Sequence, residues 1–205
     1  MAGRKLFSSA LLLAMIFLLG SCASTKIVET WKDDQFKGPA FKKIMVVSLI
    51  QRAETRQRIE DDFAGRLKER GVNSLTCYSC IPDIRDLTRE EIVKAAIKNG
   101  VDGVLVVEMR QAGTRFEPVQ SQSPSLGDYM GGFDTYLMTA TPITDDSPLI
   151  KRDEVVTMST RLFDAGTGRL IWFSNTETVN PGRGAREIAA FTTIILNALH
   201  KEKFI

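Results

Sequence analysis

Apolar residues along the chain fall into short continuous runs and into helical spacings, and the two patterns predict different elements. Residues 44–50 and 104–107 are apolar runs of strand length, typical of strands buried on both faces. Residues 53–70 have helical spacing, residues 72–78 read as a strand, and Thr88 begins a capping box at the start of a second helix. The order strand, helix, strand, helix, strand favours parallel strands joined by right-handed helical crossovers.

The predicted helix at 53–70 separates apolar from charged residues. Its apolar stripe is formed by Ile59, Phe63 and Leu67. The pairs Arg56/Glu60 and Asp62/Arg66 are four residues apart, and they predict ion pairs on the other sides of the helix.

The second half of the chain predicts an antiparallel hairpin followed by a helix. Residues 155–163 and 170–179 flank the Gly-rich turn 164–168, and residues 184–203 have one apolar stripe at helical spacing. Residues 27–31 predict a short edge strand. The predicted fold class is therefore α/β (α+β), with a three-layer-like mixed β-sheet, two crossover helices, a β-hairpin and a C-terminal helix.

Residues 118–150 form an irregular insert, because prolines and small polar residues interrupt any period. Tyr129, Phe133 and Tyr136 lie within it and belong to the residue types enriched at protein interfaces. One interpretation is an exposed patch that binds a partner. The other is that these side chains fold back onto the sheet or that an extra strand forms here.

The N-terminus has the pattern of a secretory signal peptide. Arg4 and Lys5 precede an uninterrupted apolar run at 10–19, and small residues follow it. The run is shorter than the roughly 20 residues that a membrane-spanning helix needs. The chain after this segment is therefore expected outside the cytoplasm.

The tetrapeptide Leu19-Gly20-Ser21-Cys22 resembles the lipobox of bacterial lipoproteins. The resemblance implies cleavage before Cys22 and lipid modification of its thiol, and several acyl chains hold a protein stably at a bilayer. Ala23 in the next position implies transfer to the outer membrane, with the domain in the periplasm. The expected organisation is a cleaved signal peptide at 1–21, a lipidated N-terminus and linker at 22–28, and a single domain at 29–205.

Composition and charge narrow the classes of partner. Of the 205 residues, 43% are hydrophobic, which excludes a disordered chain. The 27 basic residues include Arg4 and Lys5 of the signal peptide, so 27 − 2 = 25 remain against 25 acidic ones. A neutral domain lacks the concentrated positive charge that nucleic-acid binding requires. We therefore expect no nucleic-acid partner.

Cys77 and Cys80 are the strongest candidates for chemistry in the domain. In an extended strand their Cα atoms would be roughly 10 Å apart, whereas a disulfide needs about 4.4–6.8 Å. The pair can form a disulfide only if the chain turns near Tyr78; reduced thiols and a redox or metal role are the alternatives. No catalytic constellation, metal site or cofactor site is predicted, since His200 is the only histidine.

Two further segments resemble a group of uncharacterised bacterial lipoproteins. They are Pro39–Val47, preceded by Trp31, and Asp164–Trp172, close to the form D-x-x-T-G-x-L-x-W. The order of elements is similar to the periplasmic α/β domains of the curli-secretion lipoprotein CsgG, the penicillin-binding-protein activator LpoB and the N-terminal domain of TolB. The resemblance implies an envelope location without known catalysis.

These observations together predict a non-enzymatic, lipid-anchored lipoprotein that binds or assembles another envelope component. One alternative is a periplasmic redox protein or other enzyme that uses Cys77 and Cys80. Another is a subunit of an oligomeric secretion assembly.

Overall fold

The computed structural model describes residues 24–118, 150–182 and 184–205. Three sequence predictions lie outside these residues: the signal peptide, the lipidation of Cys22, and the partner-binding role of Tyr129, Phe133 and Tyr136. They stay predictions.

Six strands and three α-helices make up the described chain. The strands are β1 (Ser24–Lys32), β2 (Lys43–Ser48), β3 (Asn73–Thr76), β4 (Gly103–Pro118), β5 (Ile150–Asp164) and β6 (Leu170–Val179). The helices are α1 (Ala53–Glu69), α2 (Arg89–Lys98) and α3 (Ala185–Lys201), with short 3₁₀ turns at Cys77–Ser79 and Ile84–Asp86.

All six strands belong to one mixed sheet in the order β1-β6-β5-β4-β2-β3. Strand β2 pairs in parallel with β3 and β4, whereas β4, β5, β6 and β1 pair antiparallel. Helices α1 and α2 are the crossovers between the parallel strands, and β5 and β6 form the hairpin. The predicted mixed α+β fold is thus confirmed.

Helices cover both faces of the parallel half of the sheet. Phe63 of α1 and Phe191 of α3 lie in one core cluster, with their ring centroids 5.7 Å apart. Ala96 of α2 lies in a second cluster with Met45 and Val47 of β2. The alternating side chains of β2 therefore enter different cores, which explains its continuous apolar run and gives the three layers that the sequence predicted.

Local signals set several of the element boundaries. The Thr88 hydroxyl accepts the Glu91 N–H at 3.2 Å, as the capping box predicts. The strand expected at 72–78 ends at Thr76, because the chain enters a 3₁₀ turn there. Strand β1 begins at Ser24, so residues 24–27 of the expected linker are paired with β6, and the register shifts at Val28. Within the described ranges, no helix is both long and apolar enough to cross a membrane.

Candidate functional site

A buried ion pair lies where the chain leaves strands β2 and β3. Arg56 and Glu60 are one turn apart on α1, with 3.1 Å between Nε and Oε1. Their side chains are only 2% and 0% exposed. The sequence predicted this pair away from the apolar stripe of the helix, and the pair forms, but the structure buries it. The chain after β3 folds over this part of α1 and removes both charges from water.

Glu60 connects two strand ends through its carboxylate. Oε1 accepts the backbone N–H of Ser48 at 3.0 Å, and Oε2 accepts that of Tyr78 at 2.8 Å. Burial raises the pKa of Glu60 above its ordinary value, while these hydrogen bonds and the Arg56 guanidinium act in the opposite direction. The carboxylate therefore acts as a structural acceptor for two otherwise unpaired amides.

Arg56 binds the segment that follows the cysteine pair. Its Nη2 donates to the Ile81 carbonyl at 2.8 Å and its Nη1 to the Pro82 carbonyl at 3.1 Å. Together with the Glu60 contact, these bonds occupy all three guanidinium nitrogens. We call Arg56 and Glu60 the buried clamp, because they fix the turn after β3 against α1.

Cys77 and Cys80 lie in the turn that the buried clamp holds. The Cys80 N–H donates to the Cys77 carbonyl at 3.0 Å, so the chain turns at Tyr78, as a disulfide would require. Both cysteines are free thiols here, with Cys77 buried and Cys80 exposed. Burial raises the pKa of Cys77 to about 12, and the nearby Glu60 adds to that increase. Cys77 therefore stays protonated near neutral pH, which disfavours nucleophilic redox chemistry at this thiol.

Other candidate chemical groups lie apart from one another. His200 is exposed near the end of α3. At the start of α3 the Gly184 N–H donates to Glu187 Oε2 at 3.0 Å, so a carboxylate of the chain already occupies this helix N-terminus. Across the described part of the chain, no three His, Cys, Asp or Glu residues are grouped as metal ligands would be.

A partly exposed aromatic pair lies on the sheet face opposite α3. Trp31 of β1 is paired with Phe173 of β6, and directly paired residues share a face. Phe173 alternates with buried Trp172, which packs in the core beneath α3. Trp31 is 46% exposed, and Arg161 of β5 is the next residue in the same row. We call Trp31, Phe173 and Arg161 the aromatic row.

Polar pairs continue this face beyond the aromatic row. Glu29 Oε2 accepts the Asn175 amide at 2.6 Å, and Arg161 Nη1 donates to Glu108 Oε2 at 2.9 Å. The sequence predicted β1 as an edge strand but did not single out Trp31 as part of a surface, because only the register with β6 shows which face it shares. The alternation of side chains along β6 was the one signal in the sequence for this surface, because it predicts that Phe173 and Trp172 face opposite sides of the sheet.

The described residues thus define a mixed α+β domain with a buried clamp and an uncovered aromatic row. No protein-family model and no curated protein matches the chain. The resemblance of the sequence to the CsgG, LpoB and TolB domains therefore stays a prediction.

Several solved structures are similar to this chain at a low level. The PelC dodecamer from Paraburkholderia phytofirmans is 13% identical with a TM-score of 0.45, covering 86% of this chain and 95% of that one. Lipoprotein GNA1162 from Neisseria meningitidis is 15% identical with a TM-score of 0.41, covering 80% and 99%. A PDZ domain protein from Parabacteroides distasonis is 10% identical with a TM-score of 0.35, covering 87% and 37%. Similarity at this level carries no information about function.

Proposed function

We propose that this protein is a lipid-anchored lipoprotein of the bacterial outer membrane whose periplasmic domain binds or assembles another envelope component without catalysing a reaction. The observation that carries the proposal is the lipobox-like Leu19–Cys22 directly after a short apolar run. Among the cysteines, only Cys22 follows such a run, whereas Cys77 and Cys80 lie within the folded domain.

The aromatic row supports a binding role. Trp and Arg are enriched at the energetic centres of protein interfaces, and here both lie beside Phe173 on one sheet face. The insert at 118–150, with Tyr129, Phe133 and Tyr136, is the second proposed contact region. The raised pKa of Cys77 supports a non-catalytic role only in part, because it disfavours that thiol, and not exposed Cys80, as a redox nucleophile.

The anchor is tested by replacing Cys22 with Ser and following the protein in fractionated cells. We expect Cys22→Ser to lose membrane association, and we expect mass spectrometry of the parent protein to show an acylated N-terminal Cys22. Cys80→Ser is the matched control, because it removes an exposed thiol from the folded domain. Unchanged membrane association and mass in Cys22→Ser would refute the anchor.

The binding role is tested by photo-crosslinking in intact cells. A photoreactive residue at position 31 is expected to give a discrete crosslinked product. The same residue at position 93, where the natural Val93 is similarly exposed at 41%, is the control on the far side of α2. Deletion of residues 120–140 measures the contribution of the insert separately. Identical products from positions 31 and 93 would remove the aromatic row as the binding surface.

A further inference from the structure

The start of the sheet lies very near the proposed lipid anchor. Strand β1 begins at Ser24, two residues after Cys22. Two residues of fully extended chain span at most about 7 Å. If Cys22 carries the lipid, as the proposed function requires, the beginning of β1 is held within this distance of the lipid headgroups.

The strand register shows which other residues lie at this end of the sheet. Ser24 pairs with Val179 of β6, Val179 pairs with Val155 of β5, and Val155 pairs with Gly113 of β4. These four residues form one row across the sheet. The row marks the level at which the anchored strand begins.

Strands β4 and β5 continue past this row in the direction of the anchor. Their pairing runs from Gly113 and Val155 to Pro118 and Ile150, which is five further residues on each strand. At about 3.3 Å per residue, this extension projects roughly 17 Å beyond the row. We call residues 114–118 and 150–154 the β4–β5 extension. It is longer than the chain of about 7 Å that separates Ser24 from the anchored residue.

We propose that the β4–β5 extension lies in the lipid headgroup layer of the membrane to which Cys22 is anchored. The polar layer on each side of a bilayer is about 5–8 Å thick, so an upright sheet brings the residues next to the row, such as Thr114, into it. A sheet tilted from the membrane normal keeps the far end of the extension out of the hydrocarbon core as well. The extension is rich in charged residues of both signs, namely Arg115, Glu117, Lys151, Arg152 and Glu154, whereas Asp153 is buried and accepts a hydrogen bond from Asn180. Such a composition fits the polar headgroups and opposes entry into the hydrocarbon core.

The opposite end of the sheet provides the reference for a test. Strand β5 runs nine residues from Val155 to Asp164, which corresponds to about 30 Å. Lys42 lies at that distant end. It comes directly before β2, whose Ile44 pairs with Gly103 of β4, and Gly103 in turn pairs with Asp164. Both Thr114, in the β4–β5 extension, and Lys42 are exposed.

The experiment uses the full, lipidated protein in vesicles of phosphatidylethanolamine and phosphatidylglycerol that contain a headgroup-nitroxide lipid. A fluorophore is attached to Thr114→Cys or to Lys42→Cys, each in a Cys80→Ser background, since Cys77 is buried. We expect the Thr114 label to lose most of its fluorescence and the Lys42 label to retain nearly all of it. Ten Gly and Ser residues inserted between Ala23 and Ser24 are expected to restore the fluorescence at Thr114.

The outcomes separate the anchor from the orientation. Mass spectrometry and vesicle flotation first establish that Cys22 is lipidated; failure there removes both the proposed anchor and this inference. If the protein floats with the vesicles but the Thr114 label is quenched no more than the Lys42 label, the anchor stands and the headgroup contact is refuted. Quenching that persists unchanged with the long linker would support the headgroup contact but refute the short chain as its cause.

Discussion

Replacing Arg56 with Met tests whether the buried clamp holds the turn after β3. Met keeps a long apolar side chain but removes the guanidinium, so Glu60 becomes a buried carboxylate without its ion-pair partner. The carbonyls of Ile81 and Pro82 lose their donors at the same time. Breaking a buried ion pair in this way costs about 3–5 kcal/mol of unfolding free energy. This is a large share of the stability of an ordinary domain.

The same helix offers a matched control in Arg66→Met. Arg66 and Asp62 have the same four-residue spacing and a similar distance, 2.8 Å, but their side chains are 32% and 26% exposed. Water and salt screen such a pair, so loss of the ion pair costs at most about 1 kcal/mol. Arg66→Met also removes the hydrogen bond from Arg66 Nη1 to Thr193 Oγ1, 3.2 Å, which adds about 1 kcal/mol. Because the helical spacing is the same, the difference between the two variants reflects the burial of the clamp and its bonds to the turn after β3.

Urea unfolding followed by tryptophan fluorescence provides the measurement. Trp172 is buried in the core beneath α3, so its emission reports global unfolding. The unfolding free energies follow from linear extrapolation to water. If Arg56→Met costs no more than Arg66→Met, the buried clamp does not hold this turn and the reasoning fails.

Removing both charges of the clamp separates its ionic part from its hydrogen-bonding part. In Arg56→Met combined with Glu60→Leu no charge of the clamp remains, but the amides of Ser48 and Tyr78 lose their acceptor. Each unpaired buried group costs about 1–3 kcal/mol. The double variant is therefore expected to stay less stable than the parent protein.

Three further predictions concern the core, the thiols and the pH dependence. In Gly103→Ala the new Cβ would lie 2.8 Å from Cδ1 of Phe41, so we expect the unfolding free energy from urea unfolding to fall by about 1–3 kcal/mol. Gly113→Ala on the same strand is the control, because its Cβ meets nothing nearer than 3.8 Å and its unfolding free energy should change little. In the reduced protein near neutral pH, an alkylating reagent should modify exposed Cys80 and spare Cys77 until denaturant is added, as mass spectrometry would show; protection of both before reduction would indicate the local disulfide. Burial raises the pKa of Glu60 above 4.5, so just above that pH the folded protein binds more protons than the unfolded chain. The unfolding free energy should therefore fall as pH rises through this range. In Glu60→Gln this decrease with pH should be smaller.

The sequence predicted the elements whose signals are local. The apolar run at 44–50 indicated a central strand because helices cover both of its faces, and the Thr88 cap marked the start of α2. The pairing of β1 with β6 could not be predicted, because it joins residues about 150 positions apart and leaves no periodic trace in either segment. Strand order and the exposed face of Trp31 depend on that long-range pairing.

The buried clamp shows a different limit of sequence reasoning. Arg56 and Glu60 have the same spacing as Asp62 and Arg66, so the pattern along α1 predicts two equivalent ion pairs away from the apolar stripe. What distinguishes them is the chain at Ile81, which folds over one pair and leaves the other partly exposed. Burial of a charge pair is a property of the tertiary fold, and helical spacing does not encode it.

The anchor and the aromatic row occupy different heights on the sheet. Trp31 lies seven residues along β1 from Ser24, so it is roughly 23 Å farther from the proposed membrane-facing end. The β4–β5 extension projects in the opposite direction from the row of Ser24. If Cys22 is anchored as proposed, the short chain directs the extension towards the headgroups and leaves the aromatic row away from the membrane. The two proposed contacts, with lipid and with a partner protein, can consequently form at the same time.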